Sequence, residues 1–455
     1  MKYHLCIVQV LSFVLKRTIC NLEANYKTTT MKKFITLMAA LFLMSPLFAQ
    51  STYIHCGTLI DGKANTSRSQ VTLIIEDKII KEIRDGFVDA PSGAIAIDLK
   101  NATVMPGFID LHVHIEGETS PTRYSDGFRL NVADFAYRAT QYAKTTLNAG
   151  FTTVRDLGGS GINVSMRDAI AQGLIDGPRI FTAEKSIATT GGHGDPTNGL
   201  REDLMGSPTP VDGVINGPDE AREAVRQRYK NRADWIKITA TGGVLSVAAD
   251  GSRPQFAEVE LAALMETARD YDILVAAHAH GDEGMRRASN AGVTTIEHGT
   301  YMSEATMDLM KKNGTYFVPT ITAGKFAAAS AEIPGYYPPV VAAKARAIGP
   351  LMQETFRKAY QKGVMIAFGT DAGVFPHGEN AKEFGYMVEA GMPPMEAIKS
   401  ATSVAAKVLR MDDKFGSIET GKFADIIAVE GNPIEDISIL LDVKFVMKEG
   451  KVYKQ

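Results

Sequence analysis

Apolar and polar positions change rhythm twice along this chain, and the changes divide it. Between residues 53 and 99 the apolar residues come in short runs and alternations, at 53–60, 70–75, 78–83 and 94–99. Asp61-Gly62 and Glu76-Asp77 punctuate these runs as turns do, so the stretch predicts strands joined by hairpins. After Val104 the rhythm becomes strand, helix, strand. Short apolar runs predict strands at 104–112, 151–157, 179–184, 235–240, 273–278, 293–298, 315–320 and 364–370. Most are separated by segments with the 3.6-residue apolar period of a helix, including 133–148, 218–231, 258–271, 282–291, 303–312 and 342–362. Gly150, Gly292, Gly314 and Gly363 each stand between a helix and the next strand, where a left-handed residue closes a helix. A last helix is predicted at 394–409. Strand patterns then return at 424–429 and 443–448, with 416–421 as a turn-rich strand.

Eight strands with helices between them predict an α/β fold, a (β/α)8 barrel over residues 105–409. Residues 51–104 and 410–455 then combine into one small β-sandwich built from both chain ends. The competing α/β arrangement is a doubly wound open sheet, but no glycine-rich phosphate turn follows the first strand. The longest irregular stretches, 193–217 and 320–339, each follow a barrel strand, where loops shape pockets.

The 455 residues leave room for one large domain and a smaller one, and a formal net charge of −3 points to neither nucleic acid nor an anionic membrane surface as partner. The first fifty residues read as a leader rather than as fold. Lys32 and Lys33 form a charged region, residues 34–44 an apolar core, Ser45-Pro46 a break, and Ala49 a small residue before a cleavage point. We expect a signal peptide over 31–49, starting at the internal Met31, and export to the periplasm or the exterior. The apolar core is short for a membrane span. Of Cys6, Cys20 and Cys56 only Cys56 lies beyond this signal, where it reads as a packed strand residue.

The candidate chemistry lies at strand ends. His112 and His114 are two apart at the end of the first barrel strand, and residues i and i+2 of a strand share a face. Two converging imidazoles suit a divalent metal, although His-X-His alone also describes two packed histidines. Lys237 sits within the apolar run Trp235-Ile-Lys-Ile-Thr239, where an unpaired cation is costly. His278 and His280 end the fifth strand, His298 the sixth and Asp371 the eighth.

The runs Pro106-Gly-Phe-Ile-Asp-Leu-His-Val-His114, Lys237, His278, Ile296-Glu-His298-Gly and Gly369-Thr-Asp371 resemble the amidohydrolase superfamily, and the overall run resembles its imidazolonepropionase-like branch, which includes Xaa-Pro dipeptidases. The resemblance spans residues 51–455. It implies two divalent metal ions, zinc by default: one on His112, His114 and Asp371, the second on His278 and His298. It implies further that Lys237, carboxylated by carbon dioxide, bridges them as a carbamate. It also implies Asp371 as the base that takes a proton from the attacking water and returns it to the leaving nitrogen. The resemblance gives His278 the ligand role, since the family places its ligand first in the His-Ala-X-Gly run, and leaves His280 to line the pocket; the reverse assignment stays open. The deaminases of the superfamily use one metal and a glutamate three residues after the strand-5 histidine, and that position here is Gly281.

Around these ligands, His193 in Gly191-Gly-His-Gly-Asp195 reads either as a donor to a substrate carboxylate or oxyanion, or as an incidental loop residue. Tyr301 and His377 are candidates near the mouth, Thr241-Gly-Gly-Val-Leu245 borders the pocket, and Arg155-Asp156 reads as a structural ion pair or as a pair supporting the ligands. The expected reaction is hydrolysis of an amide-type C–N bond in a small molecule, a dipeptide (Xaa-Pro-like) or an N-acyl amino acid. A cyclic amide or imidazolone hydrolase is the enzymatic alternative, and a metal-binding protein without catalysis the non-enzymatic one. An oligomer is compatible with this composition.

Overall fold

In the computed structural model, residues 51–248 and 251–455 are described; the signal segment expected over 31–49 lies outside them. Four strands open the described residues: β1 (Ser51–Leu59), β2 (Arg68–Glu76), β3 (Ile79–Asp85) and β4 (Ile95–Pro106). The barrel region carries β5 (Phe108–Val113), β6 (Phe151–Asp156), β7 (Arg179–Thr182), β8 (Ala188–Thr189), β9 (Val214–Ile215), β10 (Trp235–Thr239), β11 (Leu274–Ala279), β12 (Thr295–His298) and β13 (Tyr316–Val318). The chain closes with β14 (Ile426–Glu430), β15 (Phe445–Lys448) and β16 (Lys451–Lys454).

Both chain ends meet in one seven-stranded sheet of order β16-β15-β14-β4-β1-β2-β3. Ile80 N–H donates to Lys422 O at 2.9 Å and Ala424 N–H to Lys78 O at 2.8 Å. The edge strand β3 is therefore bound to the segment that leads into β14, and the sheet curls round on itself. Its halves enclose Ile54, Cys56, Leu73, Ile97, Ile426 and Phe445. What the alternation suggests as a sandwich is thus one sheet folded over its own core. Residues 104–106, read from sequence as the start of the first barrel strand, belong instead to β4, where Pro106 pairs with Ile426. Gly107 makes the break between sheet and barrel. A Cβ there would collide with the Thr152 side chain, so only glycine lets the two elements approach this closely.

The barrel is a ring of parallel strands. β5-β6-β7 and β10-β11-β12-β13 form its two ladders. Ile187 joins them on one side, donating to Lys237 O at 2.7 Å and accepting from Thr239 N–H at 3.0 Å. The eighth position is filled by residues 364–372 without a continuous ladder. Phe317 bridges Ile366 and Val113 bridges Ala372, while Leu111 N–H donates to Phe368 O at 3.0 Å and Asp371 N–H to His112 O at 2.7 Å. Side chains alternate as the run 235–239 requires. Ile236 and Ile238 face the surrounding helices, whereas Trp235 packs inside the ring with Ile109, Leu111, Ala276 and Val318. Ala405, Ala406, Leu409 and Phe415 join that inner cluster.

The helices depart from expectation in four places, the first a short helix, Glu202–Met205, within the stretch 193–217. The stretch 320–339 contains a helix, Ile321–Ser330. The helix expected at 342–362 is broken into Pro339–Ile348 and Met352–Gln361 at Gly349-Pro350, because proline lacks the N–H that would continue it. The helix expected at 394–409 divides into Pro394–Ser400 and Ser403–Val408. The turn-rich strand read at 416–421 is irregular. The four glycines at helix ends do adopt positive φ: Gly150 at 94°, Gly292 at 97°, Gly314 at 71° and Gly363 at 78°.

Candidate metal centre and active site

The C-terminal ends of the barrel strands open onto one cavity of about 890 Å³, lined among others by His112, His114, His193, Lys237, His278, His280, His298 and Asp371. At its floor, Asp371 Oδ1 lies 3.5 Å from His112 Nε2 and 3.2 Å from His114 Nε2. The ligand atoms of His112, His298 and Asp371 lie within 4.8 Å of one another. Lys237 Nζ is 3.3 Å from His112 Nε2. Two of these groups sit on strained backbone, His298 at φ 72° and Asp371 at φ 62°. Left-handed conformation at two non-glycine strand ends is a cost that packing must impose, and such residues cluster at functional sites.

Second partners fix the rings. His112 Nδ1–H donates to Glu297 Oε2 at 2.9 Å and His114 Nδ1–H to Gly158 O at 2.7 Å, which leaves both Nε2 lone pairs facing Asp371. His298 Nδ1 pairs with Thr320 Oγ1 at 2.7 Å and His280 Nδ1 with Thr300 Oγ1 at 2.8 Å. His278 differs: its Nε2 lies 3.2 Å from Gly242 O, and its ring stands 4.6 Å from that of His298 and 4.3 Å from that of His193. His298 thus gathers with His112 and Asp371, and His114 stands beside them on Asp371 Oδ1.

The charges are tuned by burial and by one another. Burial pushes the Lys237 ammonium down to about 8 and holds the His112, His278 and His298 imidazoles well below their usual range. At His114 burial works in the same direction, but the negative charge of the adjacent Asp371 carboxylate outweighs it and raises the imidazole. Burial would raise Asp371 too, yet His112 and His114 hold it below the ordinary carboxylate value.

The residues present fit a divalent ion. Asp371 Oδ1 is buried with no hydrogen-bond donor of its own, and it faces two imidazole lone pairs. A buried carboxylate oxygen left so is expensive unless a cation completes it.

Other sequence candidates fall in different places. His193 lines the cavity, with a buried Nδ1 that has no partner. Tyr301 is 42% exposed, and only its backbone touches the site, donating to His280 O at 2.8 Å. His377 is buried behind the wall, with Nε2–H on Gly117 O at 2.9 Å. Arg155 does not pair with Asp156. It donates to Glu297 Oε1 at 3.0 Å and to Leu111 O at 2.6 Å, with its guanidinium 4.4 Å from the Trp235 ring. Asp156 instead accepts from Ile115 N–H at 2.8 Å and Asn163 at 2.7 Å. Two carboxylates that the sequence reading passed over support the ligands. Glu297 holds His112. Asp110 accepts from the backbone N–H groups of His112 and Thr370, each at 3.0 Å, and so ties two ligand-bearing strand ends together. Both lie in quoted motifs, one residue from His298 and two from His112, and a carboxylate inside an apolar strand was the signal.

Gly281 has no space for a side chain, since a Cβ would run into Ser252 O. A glutamate base cannot stand there.

A parallel barrel with histidines, a lysine and an aspartate gathered at its strand ends is the arrangement of an amidohydrolase-type hydrolase. Residues 103–453 match the amidohydrolase family, and the chain belongs to it. It is 33% identical over 427 residues to an ochratoxinase of Aspergillus niger, covering 89% of this chain and 87% of that protein. It is 24% identical over 406 residues to an imidazolonepropionase of Acinetobacter baumannii, covering 82% of this chain and 90% of that protein. Among solved structures, a Xaa-Pro dipeptidase with methionine bound in its active site superposes with a TM-score of 0.87 at 54% identity, covering 89% of this chain and all (100%) of that one.

Proposed function

We propose that this hydrolase cleaves dipeptides or N-acyl amino acids at the amide bond, with proline on the leaving side as one such substrate, and that it works outside the cytoplasm after export by the signal over 31–49. The observation that carries the reading is Asp371 Oδ1, buried and without a donor, facing His112 and His114 on the floor of the cavity. One divalent ion would be held by His112, His114 and Asp371, and a second by His278 and His298, zinc being the default. Lys237 would bridge them as a carbamate, in which the neutral amine joins carbon dioxide and releases one proton. That converts a costly buried cation into an anion with two oxygens. Bound ions of this kind polarise a carbonyl and lower the pKa of water to about 7.

The chain's own groups do the rest. Asp371, anchored through its N–H on His112 O at 2.7 Å, takes the proton of the attacking water and hands it to the leaving nitrogen. His193 and His280 stand on the wall where a substrate carboxylate or developing oxyanion is met. A cavity of about 890 Å³ suits a dipeptide-sized ligand, and the 54% identity to a Xaa-Pro dipeptidase supports the dipeptide side. The imidazolonepropionase likeness favours a second reading, a cyclic amide or imidazolone hydrolase.

The test is a hydrolysis screen of dipeptides and N-acyl amino acids using the chain from Ser51, with metal content measured on the same sample. Cleavage with about two metals per chain is expected. Two metals with turnover of cyclic amides alone would replace the first reading by the second. N-terminal sequencing of the exported protein, if it began before residue 40, would overturn the signal.

A further inference from the structure

The cavity wall between β10 and the following helix is irregular backbone. Val244, Leu245, Ser246 and Val247 of this loop line the cavity, opposite Ala345, Ile348 and Met352. Irregular backbone leaves carbonyl groups without ladder partners, and here one side chain satisfies three of them. Lys344, on the helix Pro339–Ile348, donates from Nζ to Gly243 O, Ser246 O and Ala248 O, each at 2.7 Å. An ammonium has three N–H donors, and these three acceptors all belong to one loop. Hydrogen bonds to a charged group are about twice as strong as neutral ones. Tyr124, in the short helix Arg123–Asp126, adds a fourth tie, its hydroxyl donating to Leu245 O at 2.8 Å.

The loop also touches the reactive groups. A Cβ on Gly243 would collide with the His193 ring, so this backbone lies flat against that imidazole. The neighbouring Gly242 O takes His278 Nε2 at 3.2 Å. The carbonyls that Lys344 gathers thus belong to the segment that backs both histidines.

We propose that Lys344 is a positioning residue for catalysis: by drawing three carbonyls of residues 243–248 onto one ammonium, it sets the wall against which substrate and His193 are placed. The catalytic part of this statement rests on the amide-hydrolase reading above; the loop-ordering part does not.

The test is hydrogen–deuterium exchange of peptides covering 242–248 in Lys344→Ala, with and without n-propylammonium, which replaces the deleted part of the side chain. Exchange there is expected to quicken by roughly tenfold or more while the barrel strands keep their protection. Propylammonium is expected to restore it in Lys344→Ala but not in Lys344→Met, whose side chain fills the space. On a substrate found in the screen, KM is expected to rise about tenfold with kcat little changed, and to fall again with the amine. Unchanged exchange at 242–248 would overturn the proposal. So would loss of protection along the whole chain that the amine does not reverse, which marks a merely structural lysine. If no amide is cleaved, the exchange and rescue measurements still decide the role of Lys344 in the loop, so its failure and that of the hydrolase reading are told apart.

Discussion

His112 shows how much of the site rests on single side chains behind it. Its Nδ1–H is fixed by Glu297, and Glu297 by the fully buried Arg155, which in turn stacks on Trp235. Glu297→Gln removes the carboxylate that pairs directly with a buried guanidinium, and breaking such a pair costs about 3–5 kcal/mol. We therefore expect a clear fall in Tm, together with a roughly 10- to 100-fold loss of metal affinity because the ring is less firmly oriented; calorimetry and metal titration check the two separately. Asp371→Asn is expected to keep most of the metal and lose at least about a hundredfold in kcat; a near wild-type rate would refute the base assignment. Lys237→Ala should lose at least one ion, and two full equivalents by elemental analysis would refute the bridge. His112, Lys237 and Asp371 could be singled out in sequence because each is a polar group at the end of, or inside, an apolar run. The role of Glu297 could not, since its partners Arg155 and His112 lie 142 and 185 residues away.

The helix Ile321–Ser330 is where pattern reading fails and packing explains why. Its sequence, Ile-Thr-Ala-Gly-Lys-Phe-Ala-Ala-Ala-Ser, has no polar face, and it is largely buried, so no 3.6-residue contrast marks it. It also lacks a local cap. Thr320 before it is left-handed at φ 50° and spends its hydroxyl on His298. The cap comes from Glu383 on another helix, Lys382–Glu389. Its carboxylate accepts from Ile321 N–H at 2.8 Å and from Thr322 N–H at 2.7 Å. Gly324 and Gly349 let this helix cross the broken pair Pro339–Ile348 and Met352–Gln361 at close range, where a Cβ on Gly324 would strike Met352. Glu383→Ala leaves two buried N–H groups unpaired, at about 1–3 kcal/mol each. Thermal unfolding should show the loss, and Glu383→Gln, which keeps one acceptor oxygen, should lose less. Because Ala323 and Gly324 line the cavity, KM should rise in the alanine variant.

On the scale of the whole molecule, the curled sheet and the barrel are fastened by a few charges around the half-buried Arg179. Arg179 of β7 donates to Asp425 at 2.7 Å and to Glu449 at 2.8 Å, and its guanidinium lies over Phe415 and Phe423. Glu449 also takes Lys78 at 2.6 Å, and Lys448 reaches Gly177 O. A single barrel strand is thereby tied to both chain ends. Arg179→Met should destabilise the protein by about 3 kcal/mol with metal content and kcat unchanged, because none of these groups reaches the cavity. Equal Tm in the variant would show that the ties are dispensable.

The sequence by itself determined the order of the elements and which of them bear chemistry. Period-2 and period-3.6 patterns follow from which face of each element is buried, and that is a local property written in neighbouring residues. A histidine pair, a lysine in an apolar strand and an aspartate at a strand tip stand out for the same reason. Tertiary structure alone decided where β4 ends and β5 begins, that the expected sandwich is one curled sheet, and that Tyr301 points to solvent while Glu297, Asp110 and Glu383 hold the site together. Those outcomes depend on close approaches and hydrogen bonds between residues far apart in the chain. Their free energy exists only once the ring of strands has closed, so no local pattern carries it.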